Sequence, residues 1–248
     1  MLPAEAALLA GAAFAAGVLN AIAGGGSFLT FPALVFCGVP PISANATSAL
    51  AVSPGYFGST LGFRSELDAM PRQRLWRECL IASVGGVAGA LLLLITPGKL
   101  FSGLVPWLLL FATLMFALGP WLLKRLGQGQ DLARWRTPGL LLVAIYGGYF
   151  NGGLGILLMA LYLLTGESDL HRVNALKNLN SLVLSWLSVA AFVLAGAIAW
   201  EPGLLMMAAA TAGGFAGARL AKRMSVAWVR GVVIATGLVM SALFFARS

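Results

Sequence analysis

Charge is scarce in this chain. Only 10% of its 248 residues are Asp, Glu, Lys or Arg, and eight of them are acidic. One histidine and two cysteines complete the reactive side chains. The hydrophobic share is 60% and the mean hydropathy +0.92, so a fold in water would lack the polar residues to cover its core. An integral membrane protein is implied.

The same scarcity narrows the chemistry. Neither a Ser/His/Asp set nor a metal-ligand cluster such as HExxH can be assembled, so an enzyme, a metal site and a cofactor are not expected. His171 stands among Glu167, Asp169 and Arg172 and reads as a solvated loop residue, with proton coupling as its alternative role. Cys37 and Cys79 are isolated in apolar sequence, as small core residues are. No Asp or Glu is expected inside a membrane crossing, so a carboxylate relay or a cation site has no evident ligand. The net charge of +8 does not point to nucleic acid, because the basic residues sit in short clusters between apolar stretches. The N-terminus MLPAEAALLAGAAFAAG carries Glu5 and no basic region, so it does not read as a cleaved signal peptide.

What the chain has in quantity is glycine, 31 residues, and much of it recurs in register. Ser83–Leu92 (SVGGVAGALL) and Thr211–Leu220 (TAGGFAGARL) are identical at six of ten positions, at an offset of 211 − 83 = 128. Gly103 and Gly231 keep that offset. Asn45-Ala46 matches Asn174-Ala175, and Asn20 with Gly24 matches Asn151 with Gly155. Two related halves, 1–127 and 128–248, are expected. Membrane proteins built so usually carry a solute, at a site where the halves meet.

Eight apolar blocks are visible, at 5–38, 42–63, 76–96, 101–123, 138–165, 173–198, 202–220 and 227–246. The basic linkers 64–78, 124–136 and 219–230 should all face the cytoplasm, which eight simple crossings cannot achieve. One block must return to its starting side. Block 138–165 is the candidate, since its glycine cluster splits it into stretches too short to span about 30 Å. Its mate 5–38 is broken at Gly24-Gly25-Gly26. The expected fold is therefore all-α and membrane-embedded. It has two inverted repeats, each a re-entrant helical hairpin plus three transmembrane helices. Residue 1 lies outside and 124–136 in the cytoplasm.

Two facing hairpin tips imply a site, because irregular backbone at membrane depth survives only when buried in protein or lining a cavity. Asn20, Gly24, Gly25, Gly26 and Ser27 form the first tip, ahead of a short helix starting at Ser27. Asn151, Gly153 and Gly155 form the second. Free amides at such helix starts attract anions. The helix after the second hairpin carries Asn174, Lys177, Asn178, Ser181, Ser185 and Ser188 on one face, and Asn45, Thr47 and Ser48 occupy its mate. Lys177 is the one charge set clearly inside an apolar block, either snorkelling or meeting an anionic solute. The repeated glycines Gly85, Gly86, Gly89, Gly213, Gly214 and Gly217 read as close helix packing.

AGGGSFLTFPAL followed by Asn45-ATSALA, with YGGYFNGGLGILLMA and Asn174-ALKNL in the second half, resembles the sulfite exporter TauE/SafE family, also called the 4-toluene sulfonate uptake permease family. The resemblance spans nearly the whole chain. It implies a bacterial inner-membrane secondary carrier, an exporter of a small sulfur-containing anion such as sulfite, sulfoacetate or another sulfonate, working by alternating access. A different organic anion, uptake instead of export, and a non-transporting accessory subunit are the alternatives. The expected partners are the anion and membrane lipid, and a homodimer is compatible with the sequence. Ile156 and Leu157 stand where the first tip has Gly25 and Gly26, so the two tips should not bind alike.

Overall fold

The computed structural model describes residues 1–22, 25–126, 130–220 and 226–247. These form helices α1 (Pro3–Ile22), α2 (Ser27–Phe36), α3 (Pro41–Gly62), α4 (Arg64–Asp68), α5 (Arg72–Ile95) and α6 (Gly98–Leu126), then a 3-10 turn (Gln130–Trp135). The second half follows as α7 (Arg136–Tyr149), α8 (Leu154–Leu164), α9 (Leu170–Leu194), α10 (Trp200–Leu220) and α11 (Val226–Arg247). No strand occurs among the described residues.

Each expected block has become one helix or one helix pair. Among the described residues four helices, α1, α5, α6 and α9, combine the length and apolar composition needed to cross a membrane, so the chain is a multi-pass membrane protein. α3 has the length, 22 residues or about 33 Å, but spends it on Asn45, Thr47, Ser48, Ser53 and Pro54. Proline and glycine punctuate the helices: Pro41 opens α3 and Gly38, Gly166 and Gly196 take positive φ after α2, α8 and α9.

The second hairpin is as short as its sequence demands, with arms of 14 and 11 residues. The first is not. Its leading arm α1 runs 20 residues, about 30 Å, and only α2, with 10 residues, is too short to cross. Part of the extra length arises because Leu-Asn-Ala-Ile continues the apolar helix, whereas Tyr149 is followed by Phe150 in extended conformation (φ −145°, ψ 111°).

Helix courses follow from the contacts. Met1 meets Glu201 while Gly17 abuts Ala210, so α1 and α10 run side by side in one direction. Arg77 meets Thr137 and Gly89 abuts Tyr149, so α5 and α7 do likewise. α3 opposes α9, since Ser43 donates to the Ala197 carbonyl at 2.6 Å and Phe57 stacks on Trp186. α6 opposes α11 through Trp107 with Phe245 and Thr113 with Gly237.

Small residues set these spacings. A methyl group on Gly17 would strike the Ala210 carbonyl, and one on Gly213 the Phe14 carbonyl. On Gly148 it would strike Gly86, and on Gly89 the Ile145 carbonyl. Gly85 abuts Ala144 and Gly86 abuts Leu184. Backbone against backbone is how helices gain dispersion contacts where lipid removes the hydrophobic drive. The packing reading holds for Gly85, Gly86, Gly89 and Gly213, while Gly214 lines the cavity at the helix tips. Linkers 64–78 and 124–136 meet at one end, through Arg74, Arg77 and Arg136. Residues 221–225 of the third linker, 219–230, lie outside the described residues.

Candidate functional site

The tips of the two helix pairs meet inside the protein. Asn20, in the last turn of α1, accepts at its Oδ1 from the Gly26 amide at 2.8 Å, which closes the first tip on itself. Gly25 turns the chain at φ +106°, open to glycine at low cost, and α2 starts at Ser27 as the sequence indicates. In the second tip Tyr146 donates its hydroxyl to the Gly152 carbonyl at 2.8 Å. Gly153 then supplies φ +77° directly before α8. Ser27 Oγ donates to the Asn151 carbonyl at 3.4 Å and joins the tips.

Beside this junction lies a cavity of about 370 Å³, within the range of small-ligand sites. Asn20, Gly25 and Ser27 line it from the first tip, and Asn151, Gly153 and Gly155 from the second. Lys177 and Asn178 of α9 complete one wall. Tyr56 of α3, Leu154 and Phe215 of α10 add apolar surface. Pro54, also lining it, cannot donate to the Leu50 carbonyl one turn back, and Ser53 Oγ takes over that bond at 2.9 Å.

Positive potential gathers at the second tip. The amides of Gly153 and Gly155 find no acceptor among the described residues, so the start of α8 presents its dipole unanswered. A β-carbon on Gly155 would lie 3.7 Å from Lys177 Cδ, so the lysine stem runs along that helix start. No carboxylate pairs with Lys177 among the described residues. The Asn151 side chain is buried, and neither end of its carboxamide has a partner among the described residues. Donors without acceptors, in a cavity with an ammonium, suit a small anion.

The structure thus gathers Asn20, Gly25, Ser27, Asn151, Gly153, Gly155, Lys177 and Asn178 around one space. Gly26 stands behind it as the flank of α2, and Gly24 lies outside the described residues. The remaining candidates have other neighbours. Asn45 donates to the Tyr149 carbonyl at 3.1 Å, holding the end of α7. Thr47 Oγ1 accepts from the Ala199 amide at 3.0 Å, and Ser48 shares a 2.6 Å hydrogen bond with Thr30. Asn174 caps back onto the Leu170 carbonyl at 2.9 Å. Ser181 is buried on the polar face of α9 with no partner among the described residues, and does not line the cavity.

One expectation fails. Glu78, in the second turn of α5, is a buried carboxylate, 5% exposed. Tyr162 donates its hydroxyl to Glu78 at 2.8 Å, Arg74 Nε at 3.2 Å and Asn180 Nδ2 at 3.4 Å. Arg74 also reaches Glu167 at 2.7 Å. Burial of the charge is tolerated because every side of it is met by a donor. The signal in the sequence was the Arg74/Glu78 spacing of four at a helix start, which reads equally well as a solvated pair. His171 is exposed, as expected, but stands on the first turn of α9 and not in a loop. No group of three or more His, Cys, Asp or Glu side chains gathers among the described residues.

Comparison with known proteins places this arrangement. The model of the family "Sulfite exporter TauE/SafE" matches residues 9–244. A "Probable membrane transporter protein ORF9" of a Sinorhizobium species is 30% identical over 225 residues, covering 87% of this chain and 81% of that protein. A "Probable membrane transporter protein" of Haemophilus influenzae is 29% identical, covering 92% and 90%. The "Probable membrane transporter protein YfcA" of Escherichia coli is 28% identical, covering 93% and 86%. No solved structure matches.

Proposed function

The chain belongs to the sulfite exporter TauE/SafE family of membrane transporters, and on that premise we propose that it is a secondary carrier for a small sulfur-containing anion. The observation that carries this is the cavity where Lys177 lies along the unpartnered start of α8, beside the unpaired Asn151 carboxamide. A sulfonate or sulfite group offers three oxygens to such donors. The apolar wall of Tyr56, Leu154 and Phe215 suits a short organic tail, which favours a sulfonate such as sulfoacetate and also admits other small organic anions.

Alternating access follows from the architecture we infer. Corresponding helices run opposite ways: α1 and α7, α3 and α9, α5 and α10, α6 and α11. Each leading hairpin arm packs on the other half's equivalent of α5 or α10. These courses support two inverted repeats, 1–127 and 128–248, that rock about the joined tips. The basic end, with Arg74, Arg77 and Arg136, is assigned to the cytoplasm of a bacterial inner membrane, and residue 1 to the outside. Export is the direction we assign, with uptake as its alternative.

Flux of labelled sulfite and of labelled sulfoacetate into and out of proteoliposomes tests the proposal. Saturable flux of either, competed by the unlabelled anion, is expected. A protein that moves neither anion, nor a carboxylate of similar size, would be an accessory subunit instead. Cysteine labelling from either side of the membrane tests the orientation: Met1 and residue 128 on one face would end the inverted arrangement.

A further inference from the structure

A second cavity, of about 460 Å³, lies away from the tips, between the first turns of α5 and α7. Arg74, Arg77 and Arg136 line it, with the Glu78 carboxylate, Gln73 and Thr137, above a floor of Ile81 and Leu140. The side chains around it do not balance. Arg74 pairs with Glu78 and Glu167, and Arg136 lies 3.9 Å from Glu167 while binding Thr165. Arg77 reaches only the Thr137 hydroxyl and has no carboxylate within ion-pair distance among the described residues. Three guanidiniums against two carboxylates leave one positive charge, on Arg77.

The surroundings match one kind of occupant. α5 and α7 both begin here and run in the same direction, so two positive helix ends add to the guanidiniums. Trp76 and Trp135, 76% and 55% exposed, sit at the same level, where indole rings mark the boundary of a bilayer. From Trp76 an exposed apolar stripe ascends α5 through Leu80, Val84, Ala88, Leu91 and Ile95. A polar cavity of one net positive charge, at interface depth, continues directly into a lipid-facing hydrocarbon track.

We propose that this cavity is a binding site for the headgroup of an anionic phospholipid. The phosphodiester sits between Arg77 and Arg136, and an acyl chain runs along the α5 stripe. A zwitterionic lipid would bring its own cation and leave the site overcharged. A free phosphate would meet the arginines but gain nothing from the stripe. The proposal stands apart from the transport reading, because it concerns only the basic end and the outer face of α5.

The test is thermal melting of the full-length protein in neutral detergent, titrated with phosphatidylglycerol, with phosphatidylcholine or with glycerol phosphate. Phosphatidylglycerol alone should raise the melting temperature, and Arg77→Gln should weaken its apparent affinity about five-fold, the share of one interfacial arginine. Arg134→Gln, an exposed arginine outside the cavity, should leave the titration unchanged. Three results would overturn the assignment. They are an equal shift with phosphatidylcholine, full reproduction by glycerol phosphate, or an Arg77→Gln titration that matches the wild type. Native mass spectrometry of lipid co-purified with each variant gives an independent reading if Arg77→Gln melts too low to titrate.

Discussion

The Ser27 hydroxyl, from the first half of the chain, donates to the Asn151 backbone carbonyl, from the second, at 3.4 Å. Both residues are buried, and both also border the cavity. The two tips are therefore joined at the place where a solute would sit. They are not equal partners. Asn20 spends its side-chain oxygen closing its own tip, whereas Asn151 keeps an unpaired carboxamide.

Asn151 and Asn20 should separate under mutation. Asn151→Ala removes a donor that nothing in the fold uses, so its melting temperature should hold or rise, since an unmet buried amide is a cost. Anion binding should weaken by about 1.5 to 3 kcal/mol, or ten- to a hundred-fold. Asn20→Ala instead frees the Gly26 amide and should cost about 1 kcal/mol of stability. Calorimetric titration and thermal melts of both variants check this. Equal affinity in Asn151→Ala and wild type would make that residue a spacer only.

The glycine contacts predict a sharp contrast between near neighbours in type. Gly148→Ala would drive a methyl into the Gly86 carbonyl, backbone against backbone, with no flexible side chain to give way. Overpacking of this kind costs about 1 to 3 kcal/mol. Gly11→Ala meets nothing within 4 Å and should be neutral or slightly stabilising, as alanine is in a helix. Melting temperatures of the two variants in one detergent decide it. Equal tolerance at both positions would remove close packing as the reason for Gly148.

Much of this was legible in sequence, for physical reasons that can be named. The glycine clusters marked both breaks, because only glycine turns at φ +106° and +77° without strain. The apolar blocks gave the helices, and the polar face of α9 gave Lys177 and Asn178. The tip alignment was less legible. Matching Asn20 to Asn151 implies an offset of 131, yet the helices that follow start at Ser27 and Leu154, 127 apart. The difference of four residues arises because α1 ends two residues after Asn20 and α7 two residues before Asn151, and side-chain identity carries no record of where a helix stops. Asn45 and Asn174 carry the same letter whether their amides brace a helix or meet a ligand, and Asn174 donates to the Leu170 carbonyl. Asn45 donates to the Tyr149 carbonyl. Glu78 was missed for the opposite reason, since its partners Tyr162 and Asn180 lie 84 and 102 residues away.

Glu78 should be a strong point of the assembly. It joins α5 to α8 and α9 through Tyr162 and Asn180. Glu78→Ala leaves the Arg74 guanidinium and two buried polar side chains short of a partner, and breaking a buried pair from one side costs about 3 to 5 kcal/mol. Tyr162→Phe removes one hydrogen bond to a charged group, about 1.5 to 3 kcal/mol. The order of destabilisation expected in denaturant titration is therefore Glu78→Ala, then Tyr162→Phe, then wild type. A Glu78→Ala protein as stable as wild type would show that α5 is held by its glycines alone.

Lys177 provides the most direct test of the site. Its ammonium belongs to a helix running through the apolar interior, with its stem along the start of α8 and no carboxylate to pair with among the described residues. An ammonium in such a place is costly unless an anion or a set of acceptors accompanies it, and the solute is the natural source. Lys177→Gln keeps the length and a hydrogen-bond donor but loses the charge, so transport should fall at least ten-fold, the share of one charge-assisted bond. Lys177→Arg keeps the charge but replaces a compact ammonium by a planar fork. It should retain part of the activity with an altered order of preference among sulfite, sulfoacetate and a carboxylate. Flux in proteoliposomes over several substrate concentrations separates the cases. Wild-type flux in Lys177→Gln at every concentration would mean that the anion is held by the amides of α8 and by Asn151, with the lysine reaching only for the membrane surface.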